Sequence, residues 1–244
     1  MTENIRLAEQ IGVPICQDTG TISFYLMVGD KFSNLSMLPD ILRHATKHAT
    51  EAIPLRPNAV NPFTGKNSGD NIGESMPYIH WEIVEGNNLQ ITALPKGGGS
   101  ENACALGMLE PGLGIKGIKK FVVDTVIDAG AKPCPPTILG VGIGGGADIA
   151  INLAKKALLR NIGSRHNESI VADLERELEE LVNQTGIGPM GLGGDTTTLG
   201  VNVEYAHRHP ASLPVAVMFQ CWASRRASAK ILFDGKVEYL SHRI

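Results

Sequence analysis

Apolar and polar residues alternate in two periods along this chain, and the switches between them outline its elements. Residues 1–11 carry Ile5, Leu7, Ala8 and Ile11 at helical spacing. Thr21 to Val28 (T-I-S-F-Y-L-M-V) reads as a strand, and Leu38 to Ala52 as a helix that stops before Pro54. Residues 54–77 form a long polar loop, a length that points to function rather than to a simple connection. Tyr78–Glu85 and Leu89–Leu94 are predicted to pair as a hairpin through the turn E-G-N-N. Gly97–Ser100 leads into a helix predicted over Asn102–Leu109. A second helix, Gly117–Ala129, stops at Gly130. Thr137–Ile143 reads as a short buried strand and Ala147–Leu158 as a helix, while Ser169–Gln184 has the alternating faces of an amphipathic helix. Val201–Ala206, Pro214–Phe219, Lys230–Phe233 and Val237–Leu240 complete the strands. The mixture predicts an α/β (α+β mixed) fold with mixed or antiparallel sheets and flanking helices, spanning 1–244 as a single domain.

Composition narrows the function classes. The 244 residues are 43% apolar and 19% charged, as in ordinary globular chains. A net charge of -3 argues against nucleic acid as a partner. No apolar run approaches the roughly 18–20 residues that span a bilayer, and the N-terminus has no apolar secretory core. A cytoplasmic chain with no membrane partner is therefore expected.

Cys16, Cys134 and Cys221 occur in C-Q-D-T-G, K-P-C-P-P and Q-C-W-A, settings with stiff backbone or adjacent polar groups. Their spacing does not resemble a compact disulfide framework, and in a reducing compartment such cysteines serve as ligands or nucleophiles. Three thiolates brought together by folding would leave one iron of a cubane open to act as a Lewis acid. The competing readings are buried core cysteines, a zinc site completed by a histidine, and a cysteine nucleophile. Cys104, in N-A-C-A-L-G, reads as a core cysteine inside the helix predicted there. As a fourth ligand it would close the cluster and make the chain an electron carrier or sensor. A structural partner subunit without metal is a further reading.

Polar residues near these cysteines supply candidate chemistry. Gln17 and Asp18 follow Cys16, and Asp18 suits either acid–base work or an Asx turn. Gly97–Ser100 offers backbone N–H groups to an anion, and Arg56 in L-R-P-N suits a carboxylate. His209, His166 and Arg225–Arg226 are further candidates, each with an ordinary structural alternative. G-V-G-I-G-G-G at 140–146 contains a dinucleotide-type glycine pattern, but the region about 20 residues on is basic rather than acidic.

Taken together, P-I-C-Q-D-T-G, K-G-G-G-S-E-N, P-C-P-P-x-x-x-G-V-G-I-G-G, G-I-G-P-M-G-L-G-G and C-W-A-x-R-R resemble the class I iron–sulfur fumarase and L(+)-tartrate dehydratase family, in its α subunit or N-terminal catalytic half. The resemblance runs from Val13 to Tyr239. It implies a [4Fe-4S] cluster on Cys16, Cys134 and Cys221, with Cys104 a bystander. It implies contacts to a small dicarboxylate from Gln17, Asp18, Arg56, Gly98, Gly99 and His209, with Asp18 and His209 in the catalytic set. Asp18 would handle the hydroxyl proton. The implied reaction is hydration of fumarate to malate; dehydration of tartrate to oxaloacetate is the alternative. The K-G-G-G-S-E-N turn favours fumarate, whereas A-V-N near Arg56, I-G-S-R-H and L-S-H lie closer to the tartrate enzymes. A β subunit is implied as partner, in a hetero-oligomer of dimerised αβ pairs. Family α subunits carry several dozen further N-terminal residues, so a chain lacking most of that helical section is expected here.

Overall fold

The computed structural model describes residues 1–241, which group into two compact units. Unit 1 comprises 1–97 and the segment from Arg225, and unit 2 comprises Gly98–Ser224. No helix among the described residues is long and apolar enough to cross a membrane.

Unit 1 opens with α1 (Thr2–Ile11), which ends on Gly12 in the left-handed region. Its sheet comprises β1 (Thr21–Gly29), β2 (Tyr78–Val84), β3 (Leu89–Lys96), β8 (Ala227–Ile231) and β9 (Val237–Tyr239), in the order β2-β1-β3-β8-β9. Along β1 every second residue turns to one face, where Ile22, Phe24, Leu26 and Val28 are buried against Leu38 and Leu42 of α2 (Leu38–Ala52). Each such side chain contributes about 1.5–3 kcal/mol on burial.

The predicted hairpin does not form. β1 lies between its two strands, parallel to β2 and antiparallel to β3. The Glu85–Asn88 connection instead spans the end of β1, where Asp30 N–H donates to the Val84 carbonyl and Gly29 N–H to that of Asn88, both at 2.8 Å. Four residues easily bridge two strand spacings of about 4.8 Å each. The turn residues suited a hairpin, but the apolar face of β1 won the central position. The last predicted strand pair is recovered with β8 shifted toward the N-terminus.

Unit 2 has three layers. Its sheet has the order β4-β7-β5-β6, from β4 (Ala105–Leu109), β5 (Thr137–Gly145), β6 (Thr198–Arg208) and β7 (Leu213–Gln220). On one face, Val141, Val203, Val215, Val217 and Phe219 pack with α4 (Gly114–Ala129) and α6 (Ser169–Asn183). On the other, Ile138, Ala216 and Met218 meet Ala150, Ala154 and Leu158 at α5 (Ala147–Ala157). β7 is buried along its whole length.

One prediction is corrected in this unit, and one glycine pattern is explained. The helix predicted over Asn102–Leu109 is a short α3 (Gly98–Asn102) followed by strand β4. Good helix formers there are overridden by pairing with β7. The glycine run at 140–146 is not a phosphate loop. Gly140 and Gly142 sit inside β5, where a Cβ would stand 2.1 Å from the Ala154 carbonyl oxygen and 2.0 Å from that of Ala150. They let α5 lie directly on the strand.

Candidate functional site

In unit 1 the C-Q-D-T-G run follows α1 as an irregular segment, anchored by Asn4 Nδ2 donating to the Ile15 carbonyl at 2.7 Å. Cys16 is half-buried there. Arg56 donates through Nη1 to Gln17 Oε1 at 2.5 Å, joining two of the predicted substrate contacts. Asp18 Oδ1 accepts from Gly20 N–H and from Asn58 Nδ2, both at 2.9 Å. The Asp18 carbonyl accepts from Arg225 Nη1. The Gly20 bond is an Asx-type contact, so the turn role and the chemical role of Asp18 coexist.

The long loop carrying Arg56 is held from beneath. Asn71, buried, accepts Asn58 N–H at 2.7 Å and donates to Thr50 Oγ1 of α2 at 3.0 Å and to the Arg56 carbonyl at 3.3 Å. Sequence reasoning singled out Arg56 but missed Asn58 and Asn71. The signal for Asn58 lay two residues along, in L-R-P-N. Arg226 is half-buried, and burial pulls its guanidinium below the ordinary arginine value.

In unit 2, Cys134 and Cys221 leave neighbouring strand ends. Ile138 of β5 pairs with Gln220 of β7, so the chain before β5 and the chain after β7 emerge side by side. Trp222 N–H donates to the Cys134 carbonyl at 3.1 Å and ties the two segments. Cys134 has φ +53°, a left-handed conformation uncommon for a side-chain-bearing residue, and is exposed between buried Pro133 and Pro135. Gly99 closes on the same loop, since a Cβ there would stand 2.9 Å from the Lys132 carbonyl oxygen. Gly98 and Gly99 are exposed at the start of α3.

Cys104 differs. It sits in the turn before β4, packs against both apolar clusters of unit 2, and its thiol donates to the Ser100 carbonyl at 3.3 Å. His209 lies elsewhere again. It is exposed in the turn that precedes β7, a strand length of roughly 25 Å from Cys221 along β7. Its Nδ1 accepts Ala211 N–H at 3.1 Å. The structure therefore brings together Gln17, Asp18 and Arg56 in unit 1, and Cys134, Cys221 and Gly99 in unit 2. It does not bring His209 to the unit 2 cysteines. His166 belongs to a structural knot: its N–H donates to Glu175 Oε2 at 2.9 Å, and Arg160 pairs with the same buried carboxylate at 2.6 Å.

None of the four cysteines is in a disulfide. Among the described residues no three His, Cys, Asp or Glu side chains crowd closely enough to share one metal ion. A cubane needs less crowding, because its thiolates attach to different irons. Cys134 and Cys221, on tied and stiffened segments at one end of a sheet, fit two such positions.

A model of the fumarate hydratase (Fumerase) family matches residues 1–230. Similar proteins agree with it. An L(+)-tartrate dehydratase subunit alpha of Escherichia coli K12 is 41% identical over 243 residues, 99% of this chain and 80% of its own length. One of Shigella sonnei has the same identity and coverage. A protein of Methanocaldococcus jannaschii, provisionally named L(+)-tartrate dehydratase subunit alpha, is 50% identical over 239 residues, 96% of this chain and 84% of its own length. The protein is a hydro-lyase. It belongs to the fumarate hydratase (Fumerase) family.

Proposed function

We propose that this chain, with a β subunit, removes water from or adds it to a four-carbon dicarboxylate. L(+)-tartrate to oxaloacetate is the favoured reaction. Its support is the name shared by relatives at 41–50% identity. Hydration of fumarate to malate is the second reading, supported by the family description and by the K-G-G-G-S-E-N turn.

In this reading Cys16, Cys134 and Cys221 hold a [4Fe-4S] cluster. Such a group, with three protein thiolates, supplies a Lewis-acidic iron for a substrate oxygen. The chain's own residues do the rest. Arg56 provides a planar cation for a substrate carboxylate and orients the Gln17 amide. Asp18, fixed through Oδ1 by Gly20 and Asn58, holds the proton of the substrate hydroxyl. Gly98 and Gly99 offer exposed backbone to the other carboxylate. His209, which the family resemblance puts in the catalytic set, stands at the end of β7 away from Cys221.

The observation that carries the proposal is the Arg56–Gln17 pair beside an Asn58-held Asp18, in a chain of this family. The test is to co-express the chain with its β subunit, purify it without oxygen, and assay oxaloacetate from L(+)-tartrate against malate from fumarate. The higher kcat/KM names the substrate. An iron-loaded complex inactive on both rejects the proposal.

A further inference from the structure

Gln220 closes β7, is 1% exposed, and has no hydrogen-bond partner for either Nε2 or Oε1 among the described residues. Several other buried polar side chains of the same unit are satisfied. Thr137 donates to the Thr197 carbonyl, Thr198 to that of Thr137, and Asn202 to that of Ala157. Glu175 accepts from Arg160 and from two backbone N–H groups. A buried amide with both ends unsatisfied is costly, and an apolar side chain of the same length would avoid that cost.

Its position suggests what satisfies it. Ala216, Met218 and Gln220 alternate onto the α5 face of β7. The first two complete an apolar cluster, and the third stands at the strand end from which Cys134 and Cys221 depart. We propose that Gln220 is a positioning residue whose Nε2–H donates to a sulfur, thiolate or sulfide, of the cluster held beside it. This rests on the cluster assigned above. Sulfur is a large, soft acceptor that needs N–H donors in a dry setting. Such bonds set the cluster's potential and its hold on iron.

The test compares wild type, Gln220→Met and Gln220→Glu as full chains, cluster-free and after anaerobic reconstitution with iron and sulfide. Gln220→Met keeps length and loses the amide. The expected result is a cluster-free form that melts higher than wild type and a loaded form whose reduced-state EPR signal is shifted. Release of iron to a strong ferrous chelator should be about 10-fold faster. Wild-type EPR and iron release, with equal rises in melting temperature for both forms, would overturn the inference. If Gln220→Met does not melt cooperatively, Gln220→Glu decides. An ionised carboxylate donates nothing, so wild-type EPR and iron release there would also overturn it. A wild-type chain that takes up no iron and sulfide sinks the cluster assignment as well, whereas a loaded wild type with indifferent variants sinks only the role of Gln220.

Discussion

The backbone N–H of Trp222 reaches the carbonyl of Cys134 at 3.1 Å, so main chain helps to register the segments of two cysteines far apart in sequence. Replacing Trp222 with alanine leaves that bond intact, whereas Trp222→Pro removes the donor. Iron and sulfide uptake should survive Trp222→Ala far better than Trp222→Pro, as iron analysis of reconstituted protein will show.

The cysteines should divide three to one. Cys16→Ser, Cys134→Ser and Cys221→Ser are each expected to abolish loading and activity. Cys104→Ala should keep both, at a cost of about 1 kcal/mol from its packing and its bond to Ser100. Visible absorbance of the reconstituted variants gives the loading, and denaturant unfolding of the cluster-free variants gives the stability. Loss of the cluster in Cys104→Ala would revive the electron-carrier reading.

Asn58→Ala removes a donor that holds Asp18 Oδ1 and leaves Asp18 itself in place. Activity should fall by roughly 10–100-fold, with kcat carrying more of the loss than KM. Arg56→Ala should act chiefly on KM, because a substrate carboxylate loses its cation. Steady-state kinetics of the assembled enzyme separate these outcomes.

Glu175 is buried with Arg160 beside it and receives N–H groups from His166 and Val203. Glu175→Ala would strand both N–H donors and leave Arg160 only its longer contacts to Glu204 and the Val203 carbonyl, and should destabilise unit 2 by about 3 kcal/mol. Gly142→Ala forces a Cβ into the Ala150 carbonyl and should cost at least about 1–3 kcal/mol. Urea unfolding measures both.

Tyr205 donates its phenol proton to Glu168 at 2.9 Å, and this hydrogen bond, with the nearby negative charge, raises its pKa above the ordinary 10.0. The folded pKa is the higher one. The stability it contributes is therefore fully present below the unfolded value and is lost as pH climbs through the folded one. Ultraviolet titration should find one tyrosine ionising late, and Glu168→Gln should bring it back toward 10.0.

Patterning made most elements legible in the sequence, because α2, α5 and α6 show helical spacing and β1 is a short run of strand-forming residues. It failed where only the partner strand decides. Ala105–Leu109 is a good helix by propensity and becomes a strand beside β7. The E-G-N-N turn said nothing about β1 slipping between its arms. Around the candidate site, the sequence singled out Cys16, Gln17, Asp18 and Arg56 by their contexts, and the fold brings Gln17 against Arg56. Asn58 lay in the quoted L-R-P-N run and was passed over, and Asn71 and Gln220 were not readable, since an amide between ordinary neighbours carries no local mark. Its meaning comes from burial and from what it is left to bond.

Unit 1 is written in two pieces, with all of Gly98–Ser224 between them. A ribosome therefore delivers β1, β2 and β3 early and must translate the whole of unit 2 before β8 can join the free edge of β3. Unit 2 is complete at synthesis first, and through that interval β3 offers an unpaired edge that a neighbouring nascent chain can capture. The vulnerable moment of this enzyme is its own manufacture.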